Sequence, residues 1–534
     1  MDSRIPIYQD YPDYDMGEDE FAEPEFYVDQ FYPPQEEYEE LEDGGGLAPF
    51  SLAEILEHCI EPTVTDGLKH MSKILMWSLI FRISTQLMDI PPWTKHATSI
   101  VTGTILASNF FSESVFYLLV LITLSYPVLV ILSSSRGPIL ALLVISFNIG
   151  CEKFVADPVS WHMVRGAIMI CSMKIISVGF DLDESDRKKD SNPESKDLKS
   201  EPAPGDKKNR DKSAVRFRTE KKNGMKTEPE TEKKELGNEG LISLPGWFEF
   251  AGYCLCPGTV VLGPWLPFQE YQNIFIKPRW NLNWFIKILF TVFFSFMFLT
   301  ISTCWNPWLI PDSGWKWWLA YRDAMSFRAS HYFVSFISEA SAITAGFGAS
   351  KTGGSTQWQV QVTQPHNIEV PRSLVEVVVS WNIPMHAWLK KYVFKPTRKT
   401  LGNGAALFAT YAASTLLHGL SAQLAAVLFS LGLYTWVEHS FRGKVARIMN
   451  ASLETRRDTE NKFKHREGTT WVILVNLMFG FLTMFHLAYL GVMFNQTEES
   501  VTGYSWFHTL NKWKNLDFIS HYIVGGVLLV NWVL

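Results

Sequence analysis

From Gly404 to Val437 the chain runs 34 residues without Asp, Glu, Lys or Arg, and within that run stands a single histidine, His418, followed by Gly419. An ionisable side chain in so apolar a stretch is costly to keep, and points first to function. The uncharged imidazole is the favoured form in such surroundings, and it can accept a proton. On a helix, Ser414 lies one turn before His418 and Tyr411 two turns before, so the three share a face. The same spacing fits a core histidine satisfied by a neighbouring carbonyl or hydroxyl, and spacing alone does not separate the two.

A second candidate is Asn382, within Trp381-Asn-Ile-Pro-Met-His-Ala-Trp388. Its amide can orient a carbonyl or stabilise an oxyanion; equally, it can cap a helix. Trp381, Trp388, Tyr411 and Ser414 are expected to line the substrate. Lys390, Lys391, Lys395 and Arg398, with Lys399, form a cluster free of acids that can hold the phosphates of a nucleotide-like ligand. A cytoplasmic membrane flank accounts for the same residues without any ligand. His386, His439 and His486 read as structural, His486 the strongest of them as an alternative, while Arg165, Arg328, Glu339 and Arg372 are expected to pair inside a bundle. There is no GxGxxG after a strand, no P-loop, no GxSxG and no HExxH, so neither a metal nor a redox cofactor is expected, and nucleic acid is not expected as a partner.

Such residues need a scaffold able to carry polar groups through an apolar medium. The 534 residues have a mean hydropathy of +0.02 and a net charge of −7, averages that conceal three unlike parts. Residues 1–49 hold 16 acids and one base, and residues 181–240 hold 16 of each. The remaining 425 residues are basic, at +8, and carry nearly all the apolar content. Val115 to Ser135, Asn281 to Cys304 (with only Lys287), Gly404 to Val437 and Trp471 to Asn495 are each long enough to cross about 30 Å of hydrocarbon. Continuous rather than alternating apolar runs exclude a β-barrel. The expected fold is therefore all-α, a polytopic membrane bundle of about nine to eleven transmembrane helices.

The chain divides into an acidic disordered tail (1–49), N-terminal membrane helices (50–180), a disordered mixed-charge loop (181–240) and a membrane region that holds the candidate residues (241–534). Spans are expected near 69–90, 97–112, 115–135, 138–156, 159–180, 247–268, 282–304, 322–347, 404–437, 470–494 and 516–534. Basic flanks at 390–399 and at Arg442, Lys444 and Arg447 put both ends of the 404–437 run on the cytoplasmic side. As one helix that run would be ~51 Å long, so it is expected to break near His418-Gly419 and return. Asn495-Gln-Thr497 would then be a lumenal glycan acceptor. No signal peptide is visible, and the six cysteines read as buried small side chains, with a disulfide scaffold not expected.

Taken together, Trp381-Asn-Ile-Pro-Met-His-Ala-Trp-Leu-Lys-Lys-Tyr-Val-Phe-Lys395 and Thr410-Tyr-Ala-Ala-Ser-Thr-Leu-Leu-His-Gly419 resemble the membrane-bound O-acyltransferases, and within them the branch that acylates Wnt proteins. Trp161-His-Met-Val-Arg-Gly-Ala167, Gly263-Pro-Trp265, Pro371-Arg-Ser-Leu-Val-Glu-Val377 and Phe485-His-Leu-Ala-Tyr-Leu-Gly491 extend the resemblance over roughly 50–180 and 245–534. The tail and the 181–240 insertion fall outside it and resemble length variation among insect members. The resemblance implies a multi-pass endoplasmic reticulum enzyme that moves palmitoleate from palmitoleoyl-CoA to a serine of Wnt proteins, with no permanently bound cofactor. It implies His418 as the catalytic histidine and Asn382 as the family's upstream asparagine. A lipid or different secreted peptide as acceptor, or a non-catalytic transporter or chaperone, are the competing readings.

Overall fold

The computed structural model describes residues 51–87, 91–155, 157–190, 242–276, 280–352, 355–458, 462–494 and 506–534. The acidic tail, the insertion beyond Asp190 and the Asn495-Gln-Thr497 acceptor lie outside them. The principal helices are α1 (Glu61–Leu87), α2 (Pro92–Phe111), α3 (Val115–Ile131), α4 (Arg136–Gly150), α5 (Pro158–Asp190) and α6 (Trp247–Cys254). They continue with α7 (Leu282–Thr300), α8 (Lys316–Ala345), α9 (Leu374–Trp381), α10 (Ile383–Leu389) and α11 (Lys395–Leu417). The last four are α12 (Ala422–Met449), α13 (Thr470–Gly491), α14 (Trp506–Asn515) and α15 (Ile519–Val533). Among the described residues the only sheet is one antiparallel hairpin, with Ala349 opposite Trp358.

Side-chain placement is that of a membrane bundle. On α7, Phe285, Leu289 and Phe293 face outward while Thr291 and Ser295 are buried, Ser295 donating to the Phe333 carbonyl of α8. On α13, Leu474, Leu477, Met478 and Phe481 point out and Thr483 and His486 point in. In lipid the outer face gains nothing by hiding apolar groups, so helices associate through small and polar contacts. Gly67 and Gly103 serve this, Gly103 letting α2 meet the Leu255 backbone where a Cβ would lie 1.5 Å from the carbonyl oxygen.

Five described helical stretches are long and apolar enough to cross a membrane, six with α14 and α15 taken as one span bent by 78°. One stretch, Pro92–Ile131, contains two of the expected segments. The long helices α1, α8, α11 and α12 fall outside that set: α1 and α8 carry Arg82 and Arg328 within their lengths, and α11 and α12 are diluted by Asn, Gly, Gln, Ser and Thr. These are the helices that bring polar groups into the interior.

Three expectations change. The 247–268 stretch is not one helix: α6 ends at Cys254, and Pro257, Gly258, Gly263, Pro264 and Pro267 break the segment beyond it. The mixed-charge insertion does not begin at 181, because α5 runs on to Asp190. Asp183 accepts the Arg136 and Gly137 amides at 3.1 and 2.9 Å, Asp186 pairs with Arg136 at 2.6 Å and Asp181 pairs with Lys391, so these acids belong to the fold. A disulfide also joins Cys59 to Cys304, across 245 residues. Only tertiary packing of the turn before α1 on the end of α7 brings them together, and no local spacing signals it. The other four cysteines are free and buried, as expected.

Candidate active site

The 404–437 run breaks where its sequence requires. Helix α11 ends at Leu417, His418 is its C-cap residue, and α12 begins at Ala422 behind a Ser421 cap. Gly419 has φ of 91°, a left-handed conformation open to glycine and strained for other residues. The hairpin closes by α11 packing on α12. A Cβ on Gly432 would meet the Tyr411 ring at 2.6 Å, and Phe408 stacks on Phe429 with ring centres 5.5 Å apart. A second glycine, Gly402 at φ 84°, kinks α11 and separates its basic first turns from the part that carries Tyr411, Ser414 and His418.

His418 makes no side-chain hydrogen bond among the described residues, although its backbone N–H donates to Ser414 O at 3.2 Å. Arg165 of α5 and His331 of α8 lie within electrostatic reach of its ring. His331 is the residue that sequence reasoning missed. Its ring lies flat on Trp381, with centres 4.3 Å apart and planes 7° apart, and its Nε2 meets the Trp381 carbonyl at 3.1 Å. A carbonyl only accepts, so Nε2 carries the proton in that bond. Ser335, one turn on, lies 3.4 Å from the same nitrogen. The available signal was an imidazole four residues before a serine, the spacing of Ser414 and His418 in reverse, within a helix that also carries Arg328 and Glu339.

Asn382 follows Trp381 directly and caps α10, its Oδ1 accepting the Met385 N–H at 3.0 Å. Capping and chemistry are not exclusive here. With Oδ1 engaged, the amide is oriented and its NH2 group remains as a donor. Trp381 thus links His331 to Asn382 through one peptide unit, and Phe327 stacks on its ring 6.2 Å away.

The other expected residues separate into two groups. Ser414 is buried one turn before His418, and Tyr411 turns against Gly432 of the hairpin partner. Trp388 instead packs into the core, its indole N–H donating to the Met173 carbonyl of α5 at 3.0 Å. Lys391 is committed to Asp181 at 2.6 Å, with Tyr392 O–H on the same carboxylate at 3.0 Å, so it braces α5. Lys390, Lys395 and Arg398 are exposed with no ion pair among the described residues. His386 lies beside them, outside the spans. Burial first, then the charges of Lys390 and Arg456, lower its pKa from 6.5, so it adds no charge to the cluster at neutral pH.

The remaining polar residues find partners within the bundle, although Arg328 keeps its Nη1 buried without a hydrogen bond among the described residues. His439 bonds Thr455 and His486 bonds Ser520. Arg328 pairs with Glu369 at 2.8 Å, Glu339 accepts the Val362 N–H at 2.7 Å, and Arg372 pairs with Glu467 at 2.8 Å. No group of three or more His, Cys, Asp or Glu residues arranged to hold a metal occurs among the described residues.

Residues 230–464 match the membrane-bound O-acyltransferase family. The protein-serine O-palmitoleoyltransferase porcupine of Homo sapiens is 34% identical over 509 residues, covering 90% of this chain and 98% of that protein. The porcupine of Anopheles gambiae is 28% identical over 523 residues, covering 91% and 94%. Lysophospholipid acyltransferase 2 of Arabidopsis thaliana is 24% identical over 358 residues, covering 61% and 68%. On this agreement along nearly the whole length, the chain belongs to the membrane-bound O-acyltransferase family, on its porcupine branch.

Proposed function

We propose that this chain is a protein-serine O-palmitoleoyltransferase of the endoplasmic reticulum membrane, moving palmitoleate from palmitoleoyl-CoA to a serine of Wnt proteins. The observation that carries this is the similarity to porcupine enzymes along 90% of the chain; His418, at the apex of an uncharged hairpin, lies within the family match at 230–464.

In the mechanism we infer, the neutral His418 imidazole takes the proton of the acceptor serine as general base. The serine oxygen attacks the thioester carbonyl, and the Asn382 NH2 group donates to the developing oxyanion. Collapse breaks the C–S bond, and the departing CoA thiolate receives the proton from the imidazolium. Charge is thereby created and discharged on one ring, in a site where a permanent ion would be costly.

Orientation supports the same reading. A disulfide forms in an oxidising compartment, which argues for the Cys59–Cys304 end of the bundle on the lumenal side. Helix α8 leads away from that end, and Gly258 packs on its far residue, Ala345. Thr259 receives Lys174 of α5 at 2.8 Å, and farther along α5 Asp181 pairs with Lys391. On this reading the basic cluster faces the cytosol, where acyl-CoA is present, and Lys390, Lys395 and Arg398 are the cations available to it.

The test uses purified protein with labelled palmitoleoyl-CoA and a Wnt peptide carrying its acceptor serine, beside lysophospholipid as the rival acceptor. The expected result is serine ester from wild type, none above background from His418→Ala, and roughly 100-fold less from Asn382→Ala. Equal product from His418→Ala would remove that residue from catalysis. Acylation of lysophospholipid alone would move the enzyme to the lipid-acylating branch, and acyl-CoA binding without turnover would make it a non-catalytic carrier.

A further inference from the structure

The turn that carries His418 is tied to a part of the chain far from it. Within that turn, the His418 and Gly419 amides end on carbonyls of α11, at Ser414 and Leu416. The next amide does not. Leu420 N–H donates to the carboxylate of Glu152, 3.0 Å from Oε1 and 3.1 Å from Oε2, across a separation of 268 residues. Glu152 sits in the π-helical turn Cys151–Val155 that comes after α4, and it lies outside the residues that match the family model. The approach is close: a Cβ on Gly419 would stand 2.9 Å from Glu152 Oε2 and 3.1 Å from Arg165 Cδ. The absence of a side chain at 419 thus does two things. It permits φ of 91°, and it lets the carboxylate reach the backbone beside it.

We propose that Glu152 is a positioning residue for acyl transfer, holding the 418–421 turn so that the His418 imidazole keeps its place at the reaction centre. This rests on the transferase reading above. A reacting group held by one end of a helix and a three-residue turn is sensitive to the tilt of that turn, and a misplacement near 1 Å can cost about 100-fold in rate. Helix α11 fixes the turn from one side and the Ser421 cap of α12 fixes it from the other. Glu152 supplies the third point, from the N-terminal helices, and its negative charge suits the N-terminal end of α12. Its action is through an accepted hydrogen bond, so an amide oxygen in the same place does the same work.

The experiment uses full-length protein in detergent with two variants, Glu152→Ala and Glu152→Gln, and two readouts. The first is steady-state transfer to the Wnt peptide. We expect Glu152→Ala to lower kcat at least tenfold with KM for palmitoleoyl-CoA within twofold of wild type, and Glu152→Gln to restore most of kcat. The second is amide hydrogen exchange of the segment spanning 416–422, which requires no reaction. Exchange there is expected to quicken in Glu152→Ala and to stay near wild type in Glu152→Gln. Unchanged exchange in Glu152→Ala overturns the tether, and unchanged kcat with faster exchange overturns its role in transfer. Equal impairment of the two variants in both readouts overturns the accepted hydrogen bond as the cause. Absence of transfer by wild type itself would instead defeat the transferase reading, while the exchange data still decide the tether.

Discussion

His418 and His331 meet the same apolar interior in opposite ways. Among the described residues, the first keeps both ring nitrogens free of side-chain partners, whereas the second spends Nε2 on the Trp381 carbonyl and its ring face on the Trp381 indole. That contrast favours His418 as the proton acceptor and places His331 behind Asn382, where it steadies the Trp381–Asn382 peptide unit. His331→Phe should keep the stack and lose the hydrogen bond, a loss of ~1 kcal/mol in the alignment of Asn382 and thus about five- to tenfold in kcat. His331→Ala, which loses both, should fall further. Kinetics of the two variants beside Asn382→Ala would check this, and a His331→Phe enzyme with wild-type kcat would remove the hydrogen bond from the account. Among single residues, His418 and Asn382 were legible because their types are out of place in their neighbourhoods. His331 was hidden because Arg328 and Glu339 made its whole stretch look polar, and only its partner at 381 gives it meaning.

For the helices, legibility followed the source of the signal. Lengths of α3, α7 and α13 and the break between α11 and α12 can be read from apolar runs with at most one charge, because a bilayer imposes length and a long run must turn. The extension of α5 to Asp190 was not legible. Its acids are solvated by composition but paired by position, and Arg136 and Lys391, which hold them, come from distant segments. The Cys59–Cys304 bridge is of the same kind. Replacing both cysteines with serine should lower stability by about 2–4 kcal/mol, read as a lower midpoint of thermal unfolding in detergent, with transfer at low temperature retained. Midpoints that coincide with wild type would mean that the link constrains nothing the packed helices do not already hold.

Across the whole molecule, the candidate site is built where two halves of the chain meet: α11 and α12 supply the hairpin, α8 supplies His331, and α5 and the turn after α4 close the hairpin's tip through Arg165 and Glu152. The opposite end presents Lys390, Lys395 and Arg398, separated from the hairpin by the kink at Gly402. Neutralising these three together should raise KM for palmitoleoyl-CoA several-fold and flatten its dependence on salt, with kcat little changed. Lys391→Ala should act differently, weakening the hold on Asp181 and lowering stability with little effect on that KM. Initial-rate measurements at two ionic strengths would separate them.

The bridge between Cys59 and Cys304 also has a bearing on how the protein is made. Chains are synthesised from the N-terminus, and early segments assemble before later ones emerge. Both cysteines precede the α11–α12 hairpin, so the clasp can snap shut while His418 is still unmade. Glu152 lies between the two cysteines along the chain, so the segment that meets the hairpin is made before the hairpin itself. The turn that carries His418 is, in that order of events, the last piece of the proposed reaction centre to be made.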